Sequence, residues 1–300
     1  MRKELTKYLI SMRARWRSVK DSLRNCLLNP CRNWRQRRLE RARIPETQWR
    51  LTVARLPLLD GLNPAEQERL RDLATLFLRE KTLEPAGGLG LELTPDMGPI
   101  IAAQACLPIL NLGLDYYRGW RSVILYPAGF LAHHEYTDAT GLVHRVHRPL
   151  IGEAWQRGPV ILSWADLADP SHEAGLNVVI HEMAHKLDML TGEANGLPPL
   201  HRTMAMQDWS RAFTAAYRSL RREVNWGRPT AMDPYAADSP AEFFAVISEA
   251  FFEAPEVVAD NYPDVYRQLQ AFYRQDPLTR RASGRLPAAP GLPDPKSACG

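Results

Sequence analysis

Residues 175–190 read GLNVVIHEMAHKLDML. Leu176, Ile180, Met183, Leu187 and Leu190 recur in steps of three and four, which predicts a helix with one apolar face turned to a core. Asn177, His181, His185 and Asp188 form a second, polar stripe on the same helix. Two histidines four apart lie one turn above each other, so both imidazoles reach a single ion at about 2.0–2.1 Å. Glu182, next to the first histidine, is placed to take a proton from a water activated by that ion and to pass it to a leaving amine. A polar stripe on an apolar-rich helix is costly unless something satisfies it, and a cation does so. Either histidine alone reads as a hydrogen-bonded core residue; the pair with Glu182 between them reads as a metal site. Asp188 reads either as a carboxylate that orients one of the imidazoles or as a surface residue near the helix end.

A hydrolytic zinc site has three protein ligands and an open position, so a further ligand must come from elsewhere. Residues 239–255 read SPAEFFAVISEAFFEAP. Ser239 suits an N-cap and Pro240 the first helical position, and Pro255 limits the other end. Glu242 and Glu249 are seven apart and share a face, while Phe244, Ile247 and Phe251 cover another. Glu242 is the first candidate for the third ligand and Glu249 the reserve. Ser239 and Glu242 also match a capping box, in which the glutamate merely reaches back to a backbone N–H. His133, His134, His144 and His147 cluster in a polar stretch of loop and strand and are weaker candidates.

Further out, Asn63 and Pro64 open a helix over residues 64–80, and a Gly/Pro-rich loop follows around Pro85–Gly90. Residues 100–112 are a buried apolar stretch that starts helical. Residues 121–126 and 159–164 read as strands, and the second is expected to offer its backbone to an extended peptide, as edge strands do. Helix, then strands, then helices is the order of an α+β fold. The body is expected over residues 51–282, after a basic extension (1–45) and before a disordered Pro/Gly-rich tail (283–300).

The net charge of +4 hides an asymmetry: residues 1–50 hold 15 Lys/Arg against 4 Asp/Glu. Within that arm Leu5, Tyr8, Leu9, Met12, Trp16, Val19 and Leu23 keep helical spacing, with Lys7, Arg13, Arg17, Lys20 and Arg24 on the other surface. Such a basic amphipathic helix either lies on an anionic membrane, meets a partner, or packs on the protein's own body. No nucleic-acid module is recognisable, so direct nucleic-acid binding is not expected. No apolar run is long enough to span a membrane, and no secretory leader is evident. Cys26, Cys31, Cys106 and Cys299 fit neither a disulfide framework nor a zinc ribbon; free thiols point to the cytoplasm.

Three segments together carry a family resemblance: residues 175–190, residues 233–255 (DPYAADSPAEFFAVISEAFFEAP) and residues 102–127 (AAQACLPILNLGLDYYRGWRSVILYP). They resemble the Mlc titration factor A family of bacterial metallopeptidases, from about Leu58 to about Leu278. The resemblance implies a zincin-like α+β peptidase similar to the catalytic domain of anthrax lethal factor. It implies one Zn2+ held by His181, His185 and Glu242, with Glu182 as general base and Tyr235 assisting catalysis. It also implies aminopeptidase activity on a peptide substrate, and binding to Mlc, a glucose repressor that tunes expression of sugar phosphotransferase components. It does not cover the basic arm or the tail.

Overall fold

Asn63, Pro64 and Glu66 are the residues of a capped helix start. In the computed structural model of the chain, Asn63 Oδ1 accepts from the Glu66 N–H while Glu66 Oε2 accepts from the Asn63 N–H, each at 3.0 Å. The structure describes residues 43–128, 130–137, 143–150, 152–154, 158–168 and 177–284. The basic extension and the Pro/Gly-rich tail lie outside the described residues, save for their inner ends. The described chain runs α1 (Glu46–Ala54), α2 (Pro64–Glu80), β1 (Thr82–Pro85), α3 (Met97–Cys106), β2 (Ser122–Tyr126), β3 (Phe130–Thr137) and β4 (Val143–Leu150). It continues with β5 (Gly152–Ala154), β6 (Val160–Ser163), α4 (Trp164–Ala168), α5 (Val178–Asp188), α6 (Met206–Asn225), α7 (Pro240–Glu253), α8 (Pro255–Asn261), α9 (Pro263–Tyr273) and α10 (Pro277–Gly284).

This is an α+β architecture. Packing starts ahead of Leu51: Ile44 is buried, its N–H donates to Thr75 Oγ1, and its carbonyl accepts from the Arg71 guanidinium. One sheet has the order β1-β2-β6-β5, in which β1, β2 and β6 are parallel and β5 is antiparallel to β6. β-branched and apolar residues make β2 and β6, with Val123, Leu125, Val160 and Leu162 fully buried. Strands β3 and β4 pair with each other as a separate two-stranded sheet. The strand expected over 159–164 is therefore present as β6, but its expected role is overturned. It lies between β2 and β5 with both sides hydrogen-bonded. Among the described residues the edge beside it is β5, whose sequence Gly-Glu-Ala carries no strand signature.

Helix α3 has no polar face, and all but one of its residues are buried, which is what a helix apolar all round requires. Helix α6 is twenty residues long, and Trp209, Ala212, Phe213, Ala216 and Leu220 are its buried stripe. The stripe meets Phe244 of α7 and Phe272 of α9: Trp209 stacks on Phe213 with ring centroids 4.1 Å apart, and both rings contact Phe244. Burying each such ring contributes about 1.5–3 kcal/mol. The cluster seats α7 firmly on its apolar face, so its opposite face is held against α5.

Candidate metal centre

Helix α5 begins at Asn177, whose side chain accepts from the Ile180 N–H at 3.0 Å as an N-cap. Val179, Ile180, Met183, Ala184 and Leu187 are all at most 1% exposed, so the expected apolar face is a core face. Leu190, the last residue of the expected stripe, falls in the 3-10 turn Met189–Thr191 and is 41% exposed, because the α-helix has ended at Asp188.

On α7, Ser239 accepts from the Glu242 N–H at 3.1 Å. The Glu242 carboxylate does not close the box. Its Oε2 lies 3.1 Å from His181 Nε2 and 3.3 Å from His185 Nε2, and the two Nε2 atoms are 3.1 Å apart. Three atoms bound to one ion at about 2.0–2.1 Å with tetrahedral angles sit about 3.3–3.4 Å from one another, so this triangle is the size of a tetrahedral face. His181, His185 and Glu242 are the set of metal-competent side chains that converge among the described residues.

Glu249, the reserve ligand, is on the other side of the ring. Its Oε1 accepts from His181 Nδ1 and its Oε2 accepts from the Asn177 backbone N–H at 2.8 Å. A carboxylate only accepts, so the hydrogen of a neutral His181 is on Nδ1 and its Nε2 lone pair would face Glu242 Oε2. A lone pair against a carboxylate oxygen needs a positive charge between them. Accordingly, although burial works against a charged ring, Glu249, Glu242 and Glu182 outweigh it and hold the His181 pKa well above its ordinary value. Burial likewise opposes the charged form of Glu242, but hydrogen bonds to both imidazoles hold its carboxyl well below the usual range. The donor set calls for a cation, and a zinc ion fits it.

Glu182 is 3% exposed. Burial pushes its carboxyl up to about 7, partly offset by His181 and His185 and reinforced by Glu242 and Glu249. Tyr235 lies in the 3-10 turn Pro234–Ala237, half-buried, with its ring stacked on His181 (centroids 6.1 Å apart) and its phenol raised in pKa by burial and by the neighbouring Glu242 carboxylate. Among the described side chains singled out in the sequence for the site, all but Asp188 are thus within this cluster; His133, His134, His144 and His147 are placed by their backbone alone, on β3 and β4. Those histidines stand in the two-stranded sheet, His133 in register with His147.

Asp188 is fully buried, and its Oδ2 accepts from the Gly196 N–H at 2.7 Å. It anchors the loop after α5 rather than the surface. That loop touches the ligand helix: Gly196 has φ +80°, and a Cβ there would stand 2.6 Å from the Pro240 carbonyl. Gly196→Ala is therefore expected to cost about 1–3 kcal/mol, read as a Tm lowered by several degrees with unaltered far-UV circular dichroism. Periodicity shows Asn177 only as one polar-stripe residue, yet its amide nitrogen also donates to Gln104 Oε1 and Glu253 Oε1, both at 2.7 Å. An Asn just before an apolar run is the cap signal that marks it.

Known proteins can now be set beside this geometry. Residues 31–274 match the family described as glucose-regulated metallo-peptidase M90. A protein of Klebsiella pneumoniae subsp. pneumoniae named Mlc titration factor A is 40% identical over 243 residues, covering 80% of this chain and 91% of that protein. Its namesake in Cronobacter sakazakii is 39% identical over 255 residues, 84% of this chain and 94% of that one. In Yersinia enterocolitica the figure is 41% over 239 residues, 78% and 87% of the two chains. With four-fifths of its length matched and relatives of this similarity, the chain belongs to the glucose-regulated metallo-peptidase M90 family.

Proposed function

We propose that the chain is a cytoplasmic zinc-dependent peptidase of zincin-like fold, acting as an aminopeptidase on peptide substrates. The observation that carries this reading is the convergence of His181, His185 and Glu242 beside a buried Glu182. His181, His185 and Glu242 would hold the ion. Bound there, zinc supplies a Lewis acid and a water acidified toward ~7. Glu182 takes up the proton and returns it to the leaving amine; its raised pKa, which a nearby cation lowers again, suits a group that both accepts and donates near neutrality. Tyr235 donates its hydroxyl hydrogen to the oxyanion that develops on the substrate carbonyl. Strand β5 packs against α5 at the sheet edge, which supports an extended peptide adding there rather than at β6.

The test is metal content by mass spectrometry on purified protein, comparing wild type with His185→Ala and Glu242→Ala. The expected outcome is near-stoichiometric zinc in wild type and its loss in both variants. A wild type that takes up no metal when supplied with zinc overturns the peptidase reading.

A second reading rests on the relatives' name, Mlc titration factor A: a regulatory protein that binds a Mlc-like transcription repressor, with proteolysis secondary. The basic extension, on this view or the first, is the segment proposed to meet a membrane surface. No described helix is long and apolar enough to cross one.

A further inference from the structure

We propose that Glu249 is a positioning residue for the metal centre, locking His181 in the one tautomer and ring orientation that presents Nε2 to the ion. The proposal rests on the metal reading above. Glu242 and Glu249 sit two turns apart on one face of α7, yet they address opposite nitrogens of the same imidazole. One helix thus supplies both a ligand and the brace of another ligand. Glu249 is itself held: it is 3% exposed, and its second oxygen accepts from the Asn177 backbone N–H at the very start of α5. Asn177 is fixed in turn by Gln104 of α3 and Glu253 of α7. A chain of hydrogen bonds therefore runs from two neighbouring helices through the α5 cap to His181. His185 has no such brace: its Nδ1 is buried without a hydrogen-bond partner among the described residues.

The chemistry of Glu249 sets up a clean substitution. Both of its oxygens face N–H donors, so both positions require an acceptor. An amide of the same size supplies one acceptor and one donor, and replaces one of the two hydrogen bonds by a donor–donor contact. An aspartate keeps both acceptors but is one methylene too short to span from Asn177 to His181.

Metal-free wild type, Glu249→Gln, Glu249→Asp and Glu242→Ala are titrated with Zn2+ against a chromophoric chelator and with Co2+ followed by visible absorption. Their Tm values are recorded with and without Zn2+. The expected result is one Zn2+ per chain in wild type, with affinity 10- to 100-fold weaker in Glu249→Gln, the loss typical of removing a partner behind a ligand imidazole. The Co2+ bands shift, and the rise in Tm on adding Zn2+ shrinks, whatever the donor–donor contact costs the metal-free Tm. Glu249→Asp recovers part of the affinity. A strut with no part in positioning lowers both Tm values equally and leaves affinity and Co2+ bands unchanged; that result overturns the proposal. If Glu249→Gln fails to fold, Glu249→Asp with wild-type affinity and bands overturns it in the same way. A variant that behaves as Glu242→Ala does, losing the ion outright, makes Glu249 a ligand and also overturns it. A wild type that binds neither Zn2+ nor Co2+ is the separate failure of the metal reading.

Discussion

Glu182→Gln is expected to keep its zinc and to lose about 10²–10⁴-fold in kcat/KM on peptide substrates. The amide has the volume of the carboxylate it replaces and belongs to none of the three ligand side chains, so the metal triangle is left intact. What it removes is the proposed proton acceptor. Glu182 is buried on α5 between the two imidazoles in sequence, and it is electrostatically coupled to His181, His185, Glu242 and Glu249. Deleting its charge relieves the penalty of burying it, which outweighs the lost attraction of His181 and His185, so the metal-free protein should be no less stable. Metal analysis and peptide hydrolysis on the same preparation check this. Activity retained with zinc in place sinks the mechanism. Activity lost while the regulatory role in cells survives gives the repressor-binding reading its support.

The chemical helix was legible because two periodicities coincide on it. Leu176 to Leu187 announce a buried face, while His181, Glu182 and His185 announce chemistry on another. Glu242 was legible as a candidate only, since Ser239 and Glu242 fit a helix cap equally well. Sequence fixes the backbone bond from the Glu242 N–H to Ser239, but where the carboxylate goes depends on α5 lying opposite. Glu249 is legible only as a reserve ligand, for a related reason. Its spacing from Glu242 gives the shared face, and nothing in a spacing says which nitrogen of a ring across the interface a carboxylate meets. Strand β5 was not legible at all: three residues held by pairing with β6 have no period to detect. The misplacement of the peptide-binding edge follows, because a buried parallel strand and an edge strand look alike in a short apolar run such as Val160–Ser163. Asp188 shows the opposite case, a polar residue near a helix end that is fully buried because the loop returns its Gly196 N–H to it.

Tyr235→Phe is expected to lower kcat by about 10²–10³-fold with metal content and KM little changed, the loss typical of one oxyanion donor. The turn that carries Tyr235 is set locally: Asp233 Oδ1 accepts from the Tyr235 N–H at 2.8 Å, and Pro234 fixes the backbone between them. Glu242 lies seven positions further on, enough for the chain to enter α7 and bring the phenol back beside the first turn of that helix. The ring then lies on His181, a contact that phenylalanine preserves. Only the hydroxyl is lost, and its state is defined. Burial first, then the Glu242 charge and hydrogen bond, raise the phenol far above its ordinary pKa, so it is a hydrogen donor throughout the neutral range. In the resting site the phenol is coupled electrostatically to Glu242. Glu242 faces both imidazoles as well and does not depend on it, so the same donor is free to follow charge that appears on the substrate carbonyl. Donation is stronger to a developing oxyanion than to a neutral carbonyl, which places the effect in kcat rather than in binding. The decisive comparison is steady-state kinetics with zinc analysis on both proteins. A phenylalanine variant that loses zinc instead would make Tyr235 a support for Glu242, and one with unaltered kcat would remove it from the reaction.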